Sequence, residues 1–329
     1  MIVRADATPA MGIGHVMRLL ALAEAHVDRG GSVVFAVNAD AAAAADALKR
    51  RCLPVYLVHS ASGSVGDAGE MSALAETTGS DVVVVDGYHF PPEYFANLRE
   101  RELRAVAVDD TGASRPEADL VLDPDDPAFV LLRREFTSLP HRLDPTAGPV
   151  RRLLVTFGGS DPARGTAWVL RALPVGGPPV VTAVVGQSYR DDGELDAAAR
   201  AAATRGYAVE LLRGVTDMAA LMATVDASVS AAGVTLWELA YMGVPTLAFT
   251  VADNQDANAA TLANRQCIVN GGRLAHCSDE QISRLLARLV GDATLRTDIA
   301  SRFGRLIDGR GAARSLARID AIRRRATAA

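Results

Sequence analysis

Ile2-Val3-Arg4-Ala5-Asp6 and, a few residues on, Gly12-Ile13-Gly14-His15-Val16-Met17-Arg18 form a short strand-like run, a glycine turn and a helix start. A strand feeding a glycine turn and then a helix opens an α/β unit built on a parallel sheet. In such a sheet the turn lies at the carboxyl ends of the strands, where these folds bind ligands. Gly12 and Gly14 remove side-chain bulk and let the amides of the following helix point at whatever sits there. Beside them stands His15, of the side-chain type that trades protons near neutral pH. Spacing alone leaves two readings of it: a residue packed or capping at a helix start, or a working group at a strand end. The Gly-x-Gly is not a dinucleotide fingerprint, because the third glycine is missing from Gly14-His15-Val16-Met17-Arg18.

The same alternation runs on through the chain. Apolar runs at Val33–Val37, Val55–Val58, Val82–Val85 and Ala105–Val108 read as strands in the first half. Leu153–Phe157, Val180–Val185, Ala208–Leu212, Ala227–Val229, Thr246–Phe249 and Cys267–Val269 repeat the pattern in the second. Continuous rather than alternating apolar runs suit parallel strands covered on both faces. Between them lie helical patterns such as Val16–Arg29, Ala39–Arg50, Leu195–Arg205 and Asp279–Val290. The fold class is therefore α/β, with two Rossmann-like doubly wound domains expected to face across a cleft. The proline-rich stretch Leu139–Pro149 breaks helix and strand alike and divides them. We expect an N-terminal domain over residues 1–146 and a C-terminal one over residues 150–329, whose last helix, near Ala312–Ala326, is a candidate to cross back.

At 329 residues and 49% hydrophobic content, the chain can bury two ordinary cores. A formal charge of −5 argues against general nucleic-acid binding. Arg323-Arg324-Arg325 reads as the last turn of a helix, where cations suit the dipole. Cys52, Cys267 and Cys277 are too few and too scattered for a disulfide framework or a thiolate metal site. The six histidines are dispersed, and Asp125-Asp126 reads as a solvated turn, so neither a metal nor a cofactor is expected. Met1-Ile2-Val3-Arg4 begins a strand rather than a signal peptide, and no apolar run reaches membrane-spanning length. A soluble, cytoplasmic protein is the expectation. Lys49 is the only lysine, which excludes a Walker A loop. Any bound phosphate is left to backbone amides, hydroxyls or arginine.

Further ligand signals sit at strand ends in the second half. Phe157-Gly158-Gly159-Ser160-Asp161-Pro162 is a glycine turn followed by a helix start, with Ser160 or Asp161 expected to cap and Pro162 in the first turn. Ser230-Ala231-Ala232-Gly233-Val234-Thr235-Leu236-Trp237-Glu238 is a strand end, a small-residue turn and a helix. Its first amides and the Thr235 hydroxyl make an anion site, and Glu238 lies one turn in, within reach of sugar hydroxyls. An ordinary core helix is the plain alternative. Ala252-Asp253-Asn254-Gln255-Asp256-Ala257-Asn258 clusters amides and carboxylates beyond what a cap at Asp253 requires. In the first half, Asp86-Gly87-Tyr88-His89 and Asp109-Asp110 also end strands. A lone carboxylate there often only caps a helix.

Arg4-Ala5-Asp6, Gly12–Arg18, Asp86-Gly87-Tyr88 and Phe157–Asp161 together resemble the nucleotide-sugar hydrolases of pseudaminic acid biosynthesis. Gly233–Glu238 and Asp253-Asn254-Gln255 extend the likeness into the second half, so it covers most of the chain. It also reaches spore-coat polysaccharide proteins and, through the Glu238 helix, the GT-B glycosyltransferases, among them the peptidoglycan N-acetylglucosaminyltransferase.

The family's reaction removes UDP from a diacetamido-trideoxy-altropyranose. By that resemblance His15 would be the general base that activates water or an acceptor hydroxyl, with Asp86 and Tyr88 helping to place water and sugar. Gly12, Gly14 and Arg18 would line the same end. The diphosphate would rest on amides around Gly158, Gly159, Ser160, Gly233 and Val234 with Thr235. Glu238 would bind ribose, and Asn254 and Gln255 the phosphates or the sugar's acyl groups. The implied partners are a UDP-sugar and, in a transferase, a small-molecule acceptor. Hydrolysis is the first reading, transfer the second, and a non-catalytic nucleotide-sugar binder the third. The chain departs from the family at Ala231-Ala232, where relatives often carry paired glycines. Two methyl groups there are expected to narrow the diphosphate or sugar pocket.

Overall fold

The computed structural model describes residues 1–7, 13–110, 117–140, 148–190 and 192–327. The chain packs as two units, Met1–Arg134 with Gly309–Ala329, and Glu135–Asp308. Each unit holds one six-stranded sheet.

In the first unit the order is β1 (Ile2–Ala5), α1 (Gly14–Asp28), β2 (Val34–Asn38), α2 (Ala42–Lys49), β3 (Val55–Val58), α3 (Val65–Thr78), β4 (Val82–Asp86), α4 (Pro92–Glu100), β5 (Arg104–Val108) and β6 (Leu120–Leu122). A short α5 (Arg134–Thr137) follows. The strands lie side by side as β3-β2-β1-β4-β5-β6, all parallel. The chain thus winds one way from β1 and then reverses at β4. That puts the switch point, where open α/β sheets take their ligands, between β1 and β4. There Ala5 is in register with Asp86.

The valine run of β4 explains its place in the middle. Val82 and Val84 face one core with Val3, Leu19, Leu22 and, from the last helix, Leu316 and Ile319. Val83 and Val85 face a second core with Ile2, Met71, Tyr94 and Phe95. Strand side chains alternate between faces, so a strand covered by helices on both sides must be apolar throughout. Each such side chain contributes roughly 1.5–3 kcal/mol on burial. Helix ends follow local chemistry. Ser64 caps α3 by accepting from the Asp67 amide at 3.2 Å, and Gly79, at φ +64, ends it.

The second unit repeats the plan with β7 (Arg152–Thr156), α6 (Gly165–Arg171), β8 (Val180–Val185), α7 (Glu194–Thr204), β9 (Ala208–Arg213), α8 (Met218–Met222), β10 (Ala227–Ala231), α9 (Val234–Tyr241), β11 (Thr246–Thr250), α10 (Asp256–Asn264), β12 (Val269–Arg273), α11 (Asp279–Gly291) and α12 (Ala293–Leu306). The sheet order β12-β11-β10-β7-β8-β9 puts its switch point between β7 and β10. The final helix, α13 (Gly311–Thr327), packs in the first unit, where Arg323 bonds both Asp81 oxygens.

Two local expectations are corrected and one strand is added. The last strand is Val269–Arg273 rather than Cys267–Val269: the Phe249 ring occupies the space a side chain at Gly271 would need, so an edge strand carries glycines. The Leu120–Leu122 strand was too short and acid-flanked to stand out in the sequence. The helix after Gly158-Gly159 begins only at Gly165; Asp161 caps it, its two oxygens accepting from the amides of Gly165 and Thr166 at 2.8 and 2.9 Å, and Pro162 lies before the first turn. Among the described residues no helix is long and apolar enough to cross a membrane.

Candidate functional site

The first unit gathers its charged side chains at the β1/β4 switch point. Asp86 ends β4 on the face shared with Val82 and Val84, and so meets α1. His15 Nδ1 lies 2.7 Å from Asp86 Oδ1. Arg18, one turn along α1, donates from Nε to Asp86 Oδ2 and from a terminal nitrogen to Oδ1, both at 2.6 Å. Its other terminal nitrogen donates to Asp110 Oδ2 at 2.7 Å. Tyr88 donates to the same Asp110 oxygen at 3.0 Å, and its ring stands edge-on to His15 at 5.0 Å between centroids.

Electrostatics assign the proton on His15. Burial alone would raise the Asp86 carboxyl, but the charge and hydrogen bonds of Arg18, then those of His15, outweigh it and hold the group at about 2. An ionised carboxylate only accepts, so the 2.7 Å contact requires hydrogen on His15 Nδ1. Arg18 also comes within 3.3 Å of Nδ1, a longer contact that the carboxylate outcompetes. In the neutral imidazole the lone pair is then on Nε2. A buried carboxylate behind an imidazole fixes tautomer and orientation and stabilises the imidazolium that forms on protonation.

These positions revise the expected roles. Asp86 is fully buried behind His15, and Arg18, only 5% exposed, spends its donors on carboxylates. Neither is open to water or sugar. His15 and Tyr88 are the accessible members of the cluster, the latter 40% exposed. Gly14 opens α1 with nothing near its missing side chain, while Gly12 lies outside the described residues.

A second buried network adjoins the first and was not singled out in the sequence. Arg4, wholly buried on β1, bonds Asp67 of α3 at 2.9–3.1 Å and also pairs with Asp6. Tyr94 donates to Asp67 at 2.9 Å. His89 Nε2 lies 2.7 Å from Asp6 Oδ2. The quoted run Asp86-Gly87-Tyr88-His89 contained the signal, but the pairing across strands did not show in it.

In the second unit the expected residues gather at the β7/β10 switch point. Gly158, at φ +86, turns the chain after β7. Gly159 rests against the end of β8, where a side chain on Gly186 would come 2.4 Å from its carbonyl oxygen. Ser160 is half-buried beside it and caps nothing. After β10, Gly233 precedes α9 with no side-chain cap, leaving the helix start at Val234 and Thr235 half-exposed. Gln255 stands over this turn, its Nε2 3.5 Å from where a Gly233 side chain would begin, while its Oε1 accepts from the Val251 amide at 2.9 Å. Asn258, 3% exposed, donates to the Ala232 carbonyl at 2.8 Å and steadies the turn from below.

Glu238 is buried, 4% exposed, one turn beneath that helix start. Asn254 is exposed, and Asp253 caps no helix but pairs with Arg273 at 2.7 Å. Ala231 and Ala232 are both buried. Among the described residues no group of three or more His, Cys, Asp or Glu is placed to hold a metal ion.

The chain superposes along nearly its whole length on known structures. MurG of Acinetobacter baumannii superposes with a TM-score of 0.70 over 98% of this chain and 99% of that one, at 16% identity. The fold is GT-B. The spinosyn rhamnosyltransferase SpnG, solved with spinosyn aglycone, superposes with a TM-score of 0.63 over 96% of this chain and all of that one, at 17% identity. In sequence, the chain is 27% identical over 188 residues to the spore coat polysaccharide biosynthesis protein SpsG of Bacillus subtilis, covering 56% of this chain and 52% of that protein. The chain spans about half the length of the curated relatives it matches. No family model matches it.

Proposed function

We propose that the chain is a nucleotide-sugar enzyme that cleaves the bond between the anomeric carbon and the phosphate of a UDP-sugar, with His15 as general base. The observation that carries this reading is the His15–Asp86–Arg18 arrangement at the first switch point. A solvent-reachable imidazole with its lone pair on Nε2 and an ionised carboxylate on Nδ1 is built to take a proton.

In the first reading the nucleophile is water. Its oxygen attacks the anomeric carbon while its proton passes to His15 Nε2. The carbon–oxygen bond to the phosphate breaks, and its electron pair leaves on UDP. Asp86 holds the imidazolium, so it acts through His15 rather than on the water. Tyr88 and Gly14 border the reacting end.

The second unit's part is the nucleotide. The uncapped start of α9 at Gly233, Val234 and Thr235, with the Gly158-Gly159-Ser160 turn, supplies backbone donors for a diphosphate without any lysine. Charge leaving on phosphate needs such donors more than it needs an acid. Gln255 borders this turn, with Asn254 exposed beside it, and Glu238 lies one turn in as the residue assigned to ribose. Similarity to the solved glycosyltransferases favours a second reading, in which an acceptor hydroxyl replaces water at the same base.

Incubation with UDP-, CDP-, GDP- and CMP-sugars, each with and without small acceptors, tests both. Nucleotide released without acceptor supports hydrolysis, and release only with one supports transfer. Tight binding of a nucleotide sugar that stays intact in every mixture overturns the enzymatic reading in favour of a binding protein.

A further inference from the structure

We infer that His89 is a second substrate-contacting imidazole, which accepts a hydrogen bond at Nδ1 from a hydroxyl or acylamido N–H of the sugar. The inference rests on the nucleotide-sugar reading above and adds a residue that determines which sugar is held.

The geometry around His89 repeats that around His15. In each, an imidazole is backed by a buried aspartate, and the aspartate by a buried arginine: His15–Asp86–Arg18, and His89–Asp6–Arg4. Asp86 ends β4 and Asp6 follows β1, so the two carboxylates flank the same switch point. His15 belongs to the α1 side of the sheet, while His89 leads into Phe90 and Tyr94 of the opposite core. A ligand at the carboxyl ends of β1 and β4 therefore meets one imidazole from each face.

Chemistry fixes which atom His89 offers. Burial opposes ionisation of Asp6, but hydrogen bonds from His89 and Arg4 and the Arg4 charge hold its carboxyl well below the usual range. Its Oδ1 accepts from Arg4 and from the Asn38 amide, and its Oδ2 faces His89 Nε2 at 2.7 Å. An ionised acceptor requires hydrogen on Nε2, which in the neutral imidazole leaves the lone pair on Nδ1. Among the described residues nothing bonds Nδ1. A lone pair suits a donor such as a sugar hydroxyl or an amide N–H and repels phosphate oxygens.

The ring is also held still and left reachable. It packs on the buried Phe90 ring at 4.4 Å between centroids. Gly87 makes room for it, since a side chain there would come 2.9 Å from His89 Cε1 and from Phe90. His89 is 34% exposed, against 3% for Asp6 and none for Arg4. A residue serving only to tie down the loop needs no such opening. Fixed orientation with one free acceptor is the form of a pre-organised contact.

The test uses the full chain, whose six histidines give a simple spectrum when labelled with nitrogen-15. Without ligand, His89 is expected as the Nε2–H tautomer and His15 as the Nδ1–H tautomer; a His89 proton on Nδ1 overturns the inference. Each sugar of the nucleotide-sugar panel is then added, with the matching free nucleotide as control. His89 resonances should move with a nucleotide sugar and stay put with the nucleotide alone. Movement at His15 with none at His89 overturns this inference and leaves the proposed function standing. Silence at both histidines with every sugar overturns both.

His89→Gln supplies the second readout, because its amide nitrogen replaces Nε2 against Asp6 while nothing replaces Nδ1. With the sugar that wild type turns over, KM should rise about tenfold with kcat little changed, the scale of one lost hydrogen bond. Melting temperature should be retained. A purely structural His89 predicts wild-type KM in the glutamine variant, and that result contradicts the inference.

Discussion

His15 Nδ1 stands 2.7 Å from Asp86 Oδ1, and the carboxylate so engaged is wholly buried and bonded through both oxygens to Arg18. The pair joins the first helix to the middle strand of its sheet at the switch point. Removing the charge while keeping the shape tests what the carboxylate does. Asp86→Asn should lower kcat by about 10²–10⁴-fold with nucleotide-sugar affinity largely kept, since an amide neither fixes the tautomer nor stabilises the imidazolium. Steady-state kinetics with a direct binding measurement check it. Wild-type turnover in this variant would mean that His15 works without Asp86.

The same carboxylate ties stability to acid pH. Asp86 is held at about 2 in the fold, against about 3.9 for a free aspartate. A folded value below the unfolded one means that its stabilisation is fully present above about pH 4 and is lost as pH falls through about 2. The shift corresponds to something on the order of 2 kcal/mol. Urea midpoints of wild type should fall across that window, and those of Asp86→Asn should fall less. Equal slopes for the two proteins would contradict the assignment. Asp6 shifts in the same direction and adds its own share.

Arg4 has no exposed side-chain surface and is held chiefly by Asp67. Asp67→Ala removes one of the two carboxylates bonded to that guanidinium and should cost about 3–5 kcal/mol of stability. Chemical denaturation measures it. A loss no larger than that of an exposed surface substitution would show that the network contributes little.

Gly233 tests the nucleotide end. Its φ of −91° is open to alanine, and the added carbon would meet Gln255 Nε2 at an ordinary 3.5 Å. Gly233→Ala should therefore fold with stability within about 0.5 kcal/mol of wild type. It should weaken UDP about tenfold by crowding the amides of the α9 start, the cost of about one lost hydrogen bond. Calorimetric titration reads both the affinity and its absence of change; an unchanged affinity moves the diphosphate away from α9.

How much of this was readable from residues depended on range. Val82–Val85 and Val180–Val185 announced buried parallel strands because a strand covered on both faces has no polar alternation to confuse it. His15 stood out because glycines flanked it at a strand end. The last strand, Val269–Arg273, is not legible because Gly271 answers to the Phe249 ring, a neighbour only in space, and Gly272 to a left-handed backbone at φ +77. For the same reason the sequence suggests ligand contacts for Asp86 and Arg18: nothing local shows that Asp86 bonds His15 and Arg18, or that Arg18 bonds Asp86 and Asp110. His89 carries no such signal, because its partner, Asp6, follows a different strand and the arginine behind that partner is buried in the fold.

The central claim is that His15 takes the nucleophile's proton as the sugar–phosphate bond breaks. Its most direct test compares wild type and His15→Ala at saturating concentration of the best nucleotide sugar, with binding of that sugar measured separately. The account predicts affinity close to wild type and turnover lowered by about 10²–10⁴-fold. Full turnover in His15→Ala would contradict it.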